Sequence, residues 1–463
     1  MLSMEHNDIL TRVGPGTPLG ELMREYWVPA CLPTELKPDA TPTRLKLLGE
    51  KLIAFRDSEG RIGILDHRCP HRCASMFFGR NEEGGIRCAY HGWKFDVEGN
   101  CLDQPNLPED QRFTDRVKAK AYKVAEKGGI VWVYMGKRKV PPPLPALEVL
   151  SIPDDERMVM CHMRDCNWLQ SLEGDIDTSH FGFLHAGAVQ PDDVDPDTMH
   201  RYGLLNRTPR YHVKETDWGT MYDAYRPADE GNYFHRFAHF MFPFFALVPD
   251  GTFGNMIQAT LSVPLDDSHT MTYVTAWKKR DIALRTLKDG SFIPGAAPTM
   301  SYLPDTTDWL GRWRLRGNRG NDYLIDREEQ ASGKSYSGIQ GIGQQDQAMV
   351  ESMEGPEEGI VDRSFENLAA SDRMIAITRR RIIAAAQAHA KDGSIPATVD
   401  RPELTRGARG GSFVCSDKID WLDAYAEEIA RRTARPASCC RPPNSGSRET
   451  LPVRRSAESA DRR

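Results

Sequence analysis

The chain has 463 residues, 40% hydrophobic and 27% charged, with a formal net charge of −6 and a pI near 6.1. That length supports two packed domains, and the acidic balance lacks the basic footprint of a nucleic-acid binder. No apolar run reaches the roughly 18 residues of a membrane span, and Met1–Leu10 is polar without a secretory h-region, so a cytoplasmic protein without a membrane segment is expected.

Residues 1–42 read as a leader, with a short helix around Leu19–Trp27 and a Pro-rich approach. From residue 43 to 140 the pattern is all-β. Lys46–Arg56 (KLLGEKLIAFR), Arg61–Leu65 and Gly129–Met135 (GIVWVYM) are strand-like runs bounded by turn residues. Val140–Pro145 (VPPPLP) suits a linker. Residues 150–432 form a longer α+β region. It opens with a helical pattern over Trp168–Leu184, and strand-like runs follow at Met221–Arg226, Phe237–Val248, Met256–Val263 and Met271–Trp277. Gln330–Gly343 reads as a loop, and helices are expected near Gln345–Met353 and Asp372–His389. The tail, Arg435–Arg463, is Pro-, Ser- and Arg-rich with little to bury and is expected to be disordered.

Two constellations carry chemistry. The β block contains Cys69-Pro70-His71 and, after 16 residues, Cys88-Ala89-Tyr90-His91. In the cytosol, grouped Cys and His mean metal more often than disulfide. Zinc sites usually pair like with like, Cys-x-x-Cys and His-x3-His. Here each loop contributes one Cys and one His. A [2Fe–2S] centre with thiolates on one iron and imidazoles on the other needs that mixture, because each loop must reach both metals. Cys73, Cys101, Cys161 and Cys166 have no such spacing and read as small buried residues.

The second constellation is NWLQSLEGDIDTSHFGFLH (Asn167–His185), with Glu173, Asp177, His180 and His185 as possible ligands. On one helix Glu173, Asp177 and His180 share a face. His185 can join His180 on a metal only if the helix bends or ends between them, which Gly182 would permit. Two histidines and a distant carboxylate form the facial triad of non-haem Fe(II) oxygenases. Spacing leaves the carboxylate open among Asp322, Asp326, Asp346, Glu351 and Glu354.

Together these motifs resemble the Rieske non-haem iron aromatic ring-hydroxylating oxygenases, large (alpha) subunit. The family pattern Cys-x-His, a gap, Cys-x-x-His is matched by Cys69, His71, Cys88 and His91. Its Asp-x-x-His-x4-His is matched by Asp177, His180 and His185. The run Gly341–Ser352 (GIGQQDQAMVES) resembles the family's last ligand helix and selects Asp346. With Asp362–Arg381, it looks like the phthalate and phenoxybenzoate dioxygenase branch, which also includes aryl-ether O-demethylases.

The resemblance implies an α+β protein in which an N-terminal all-β Rieske domain precedes a helix-grip catalytic domain of antiparallel sheet and helices. It implies one [2Fe–2S] cluster and one mononuclear Fe(II) per subunit. Asp177 would link the iron site to a Rieske histidine of the neighbouring subunit, His91. It further implies a homo-oligomer, trimer or stacked trimers, and a separate reductase carrying FMN and a plant-type [2Fe–2S] cluster. The chain has no nucleotide-binding glycine motif after a strand, so reduction must come from elsewhere. The expected reaction adds O2 to an aromatic substrate, giving a cis-dihydrodiol. Arg207 and Arg210 are candidate partners for a substrate carboxylate. The aromatic run Phe237–Val248, basic only at His239, reads either as plain sheet core or as a pocket for ring surface, the latter favouring an aromatic monocarboxylate or a diaryl compound. Competing readings are aryl-ether O-demethylation on the same irons, a pure Rieske electron carrier, and a zinc-stabilised binding module.

Overall fold

The computed structural model describes residues 2–282, 284–297 and 300–433, so the tail Arg435–Arg463 lies outside the described residues. Where one helix is expected in the leader, there are two, α1 (Met4–Thr11) and α2 (Pro18–Arg24), followed by strand β1 (Trp27–Cys31). Ser3 and Thr17 cap the helices by accepting from the amides of His6 and Gly20, and Pro18 sits in the first turn of α2, where its missing N–H costs nothing.

The N-terminal β region holds three small sheets. Strands β2 (Thr43–Leu47), β3 (Glu50–Arg56) and β4 (Ile62–Asp66) form one meander. Strands β5 (Arg80–Glu82), β6 (Gly85–Arg87), β7 (Lys94–Phe95) and β8 (Cys101–Asp103) form another. Strands β9 (Lys123–Lys127) and β10 (Ile130–Tyr134) return to pair with β1. Ile53, Phe55, Leu65, Met76, Ile86, Trp93 and Phe95 make a separate small core under the two Cys–His loops.

The larger region opens with β11 (Arg157–Arg164) and α3 (Trp168–Ile176), followed by the one-turn α4 (Tyr202–Leu205). An antiparallel sheet is then built from β12 (Arg210–Glu215), β13 (Gly219–Pro227), β14 (Asn232–Met241), β15 (Phe245–Leu247), β16 (Gln258–Pro264) and β17 (Thr270–Trp277). The strand order is β11-β17-β16-β15-β14-β13-β12. Helices α5 (Arg327–Ala331), α6 (Ile342–Ser352) and α7 (Arg373–Asp392) follow, then β18 (Gly411–Ser416), which extends the sheet by pairing with Asn232–Phe237 of β14, and α8 (Trp421–Thr433).

One continuous core joins α1, α2, β1, β10, α3, α7 and the large sheet, so the leader is built into the larger region. Each fully buried Leu or Phe there contributes about 1.5–3 kcal/mol. Trp168 is fully buried, and its indole N–H donates to the Leu10 carbonyl at 3.0 Å. Among the described residues no helix is long and apolar enough to cross a membrane.

Candidate metal centres

The two Cys–His loops are near copies of each other. In the first, the Cys69 amide donates to Ala74 O (2.8 Å) and the Cys73 amide returns to Cys69 O (2.9 Å). In the second, the Cys88 amide donates to Trp93 O (2.8 Å) and the Gly92 amide to Cys88 O (2.9 Å). Each knuckle closes on a residue in the left-handed region, Cys73 at φ 59° and Gly92 at φ 78°. A Cβ at Gly92 would come within 2.6 Å of Pro105, so both conformation and space demand glycine. Cys73 takes the same conformation with a side chain, at a cost of about 1–2 kcal/mol. It is exposed, which corrects its reading as a buried residue, whereas Cys101, Cys161 and Cys166 are buried.

The geometry suits a cluster. The buried thiols of Cys69 and Cys88 lie within hydrogen-bond reach of each other. Backbone amides of His71 and Arg72 point at Cys69, and those of Tyr90 and His91 at Cys88, ready to stabilise thiolates. The imidazoles of His71 and His91 are 4.5 Å apart, centroid to centroid. His71 stacks on Trp93 at 4.4 Å and His91 lies against Tyr90 at 3.8 Å, while Asn106 accepts from the Trp93 indole. Two sulfurs side by side and two rings side by side fit a diiron cluster better than one tetrahedral ion.

Helix α3 ends at Ile176, eight residues earlier than the periodicity predicts, with Asp177 as its C-cap and a tight 3-10 turn at His180–Gly182. Asp177 turns back on the chain, accepting from Ser179 N (2.6 Å) and Ser179 Oγ (2.9 Å). This break replaces the expected bend at Gly182 and frees both histidines from the helix. Their Nε2 atoms lie 3.2 Å apart, and Asp346 Oδ1 of α6 is 3.1 Å from His185 Nε2 and 3.6 Å from His180 Nε2. His180, His185 and Asp346 can therefore place three donor atoms on one ion, all within 4.8 Å of one another.

The other carboxylates are occupied elsewhere. Glu173 is buried between Arg379 (2.6 and 2.9 Å) and Arg363 (3.2 Å), tying α3 to α7. Glu351 accepts from the Asp165 amide and the Tyr323 hydroxyl, each at 2.8 Å. Glu354 pairs with Arg319, Asp326 caps α5, and Asp322 is exposed. Gln170 of α3 donates to Val350 O (2.7 Å) and Met353 O (3.0 Å), holding α6, and with it Asp346, against the histidine segment.

Both histidines are oriented through Nδ1. Asp177 Oδ2 lies 3.4 Å from His180 Nδ1. Burial pulls the His180 pKa down, but the bond to Asp177 and the charges of Asp346 and Asp177 outweigh it and lift the ring to about 8. Burial likewise pushes Asp346 up, but the two imidazoles outweigh it and draw the carboxyl to about 2. His185 Nδ1 is 2.7 Å from Gln345 Oε1, and Gln345 Nε2 donates to Ile339 O (2.8 Å) and Gly295 O (3.3 Å). Gln345 directly precedes Asp346, yet its amide carries no sequence signal of this role.

The trio opens onto a cavity of about 170 Å3. The aromatic run expected to line it does not. Phe240, Phe242, Phe244 and Phe245 belong to the main core, Phe237 to a smaller one, and of the run only Val248 lines the cavity. His239 is a satisfied core histidine between Trp218 and the Arg409 carbonyl. Arg207 is spent on the carbonyls of Gly182, Gly187 and Val189, and Arg210 is exposed on β12. The cavity's arginines are instead Arg164, Arg236, Arg280 and Arg285, and Arg236 directly precedes the aromatic run.

A β domain with paired Cys–His loops, joined to an antiparallel sheet that presents a His–His–Asp trio beside a cavity, defines a two-centre metalloprotein. Family models match as the Rieske [2Fe-2S] domain over residues 26–123 and as LigXa C-terminal domain like over residues 133–434. The chain is 49% identical to the 3-chlorobenzoate-3,4-dioxygenase oxygenase subunit of Comamonas testosteroni, over 93% of this chain and 99% of that one. It is 36% identical to the phthalate 4,5-dioxygenase oxygenase subunit of Pseudomonas putida, over 93% and 96%. A dicamba monooxygenase bound to dicamba shares the fold, with a TM-score of 0.52 at 17% identity, over 80% of this chain and 98% of that one. The chain belongs to the Rieske oxygenases as an alpha subunit. It is the terminal oxygenase subunit of an aromatic Rieske dioxygenase and works within a multicomponent system that includes a reductase.

Proposed function

We propose that this subunit dioxygenates an aromatic carboxylate, an aromatic monocarboxylate or a larger diaryl acid, to a cis-dihydrodiol. The observation that carries this reading is Arg236. It lines the cavity beside the trio and is 4% exposed. It donates to Pro249 O at 3.2 Å and lies 4.8 Å from the Phe181 ring, and its Nε has no partner among the described residues. A buried guanidinium with an unused donor is suited to a carboxylate, which it meets in a planar fork. The relatives named for 3-chlorobenzoate and phthalate act on such acids.

Cys69, His71, Cys88 and His91 would hold the [2Fe–2S] cluster, and His180, His185 and Asp346 the Fe(II). Bound there, the two groups would supply single electrons and dioxygen activation. The chain's own residues do the rest. Asp177 holds the His180 ring by its Nδ1 and, at 24% exposure, can also take a hydrogen bond from His91 of a neighbouring copy. That contact implies a homo-oligomer, a trimer or stacked trimers. Arg236 fixes the acid group, and the sheet that carries it backs the cavity. Electrons would come from a cytoplasmic reductase carrying FMN and a plant-type cluster.

The test is metal content with product analysis on anaerobically purified protein. About three irons per chain, a Rieske-type visible spectrum and a dihydrodiol from benzoate or 3-chlorobenzoate are expected. Formaldehyde released from an aryl methyl ether, with no dihydrodiol from either acid, would make the enzyme a demethylase instead.

A further inference from the structure

The cavity has a second set of polar residues, on strands away from Arg236. Alternation along β11 turns Met160, His162 and Arg164 toward the cavity, and Thr272 and Val274 of β17 and Gln258 and Thr260 of β16 join them. His162 and Thr272 are directly opposed in the β11–β17 register. They are 2% and 0% exposed. Neither ring nitrogen of His162, nor the Thr272 hydroxyl, has a hydrogen-bond partner among the described residues. Burial pushes the His162 pKa down to about 3, so the ring is neutral, with one donor and one acceptor. Buried polar groups in folded proteins are almost always paired, so three unpaired atoms on one cavity wall call for a ligand. Three strands, β17, β16 and β15, separate His162 from Arg236 in the sheet, so the two features face different ends of a bound ring.

We propose that His162 and Thr272 form a subsite for a second ring substituent, a phenolic hydroxyl, which donates to the imidazole and accepts from the threonine hydroxyl. This rests on the aromatic-carboxylate reading above, with Arg236 holding the acid group. An apolar substituent would leave both groups unpaired. The preferred substrates are therefore hydroxybenzoates.

The experiment is anaerobic binding of matched acids to the holoenzyme by titration calorimetry: 3- and 4-hydroxybenzoate against 3- and 4-methylbenzoate, which differ little in size. At one ring position the hydroxy acid should bind about 10- to 100-fold tighter, the consequence of leaving buried hydrogen-bonding groups unmade with the methyl acid. His162→Leu and Thr272→Val should bring that ratio toward one, and Thr272→Ser should restore it, with retained mononuclear iron reporting an intact catalytic sheet. Equal affinities at both positions, or a ratio untouched by both variants, would overturn the subsite and leave the aromatic-carboxylate reading standing. No binding of any of the four acids, with an uncharged aryl ether bound instead, would overturn both.

Discussion

Replacing Gln345 with Leu should weaken iron binding without touching the cluster. The amide orientation is set by its nitrogen, which faces the carbonyls of Ile339 and Gly295. The flipped amide would turn its oxygen onto two carbonyl oxygens. Oε1 must then accept from His185 Nδ1–H at 2.7 Å, leaving the Nε2 lone pair directed at Asp346 and His180. Gly295 adopts φ 81°, and a Cβ there would lie 2.5 Å from Gln345 Nε2, so the backbone is shaped around this amide. Losing such an orienting partner typically costs 10- to 100-fold in metal affinity, or about 1.4–2.7 kcal/mol. Orphaning two buried carbonyls adds about 1–3 kcal/mol of lost fold stability for each that water cannot reach. The assay is dialysis against graded chelator, with iron counted per chain and the visible absorbance of the cluster as an internal reference. The Leu variant should release mononuclear iron at 10- to 100-fold lower chelator strength with its spectrum intact. Iron held as tightly as in the parent would refute the orienting role.

Three further outcomes follow from the same geometry. Asp177→Asn should retain both metals yet lower turnover by 100-fold or more, because a neutral amide cannot accept charge-assisted bonds from two imidazoles; full turnover at unchanged iron content would contradict it. His180→Ala should lose the mononuclear iron while the cluster spectrum persists, and simultaneous loss of both would mean that the two centres are not independent. Acid stability should depend on His239, whose pKa burial lowers from 6.5 to about 4. The ring stays neutral in the folded chain while the unfolded chain takes a proton, so this contribution is complete above pH 6.5 and is lost as pH falls toward 4. It amounts to about 3 kcal/mol over that window. Urea melts of His239→Gln at pH 7 and 4.5 should show a shallower fall than the parent, and equal falls would remove the histidine from the explanation.

What could be seen in the sequence follows from how far apart a site's residues lie along the chain. The Cys–His pairs span three and four residues, so spacing alone reports that each loop must touch both irons. His180 and His185 share one short segment, but the sequence conceals the end of α3, since LEGDIDTSHFGFLH keeps a helical rhythm past the point where Asp177 captures Ser179. Asp346 lies 161 residues beyond His185, and only resemblance selected it from five carboxylates. The pocket was hidden for a different reason. In β14 every residue from Phe234 to Met241 is buried, because both faces of the sheet are covered, and the period-2 signal that distinguishes a wet face from a dry one disappears. A run of phenylalanines there cannot say which face meets substrate. The informative residues are the polar ones that break the apolar pattern, His162, Arg164, Arg236 and Thr272, which lie up to 110 positions apart and converge only when the sheet forms. In a sheet covered on both faces, a buried polar atom without a partner among the described residues marks the cavity better than the aromatic residues around it.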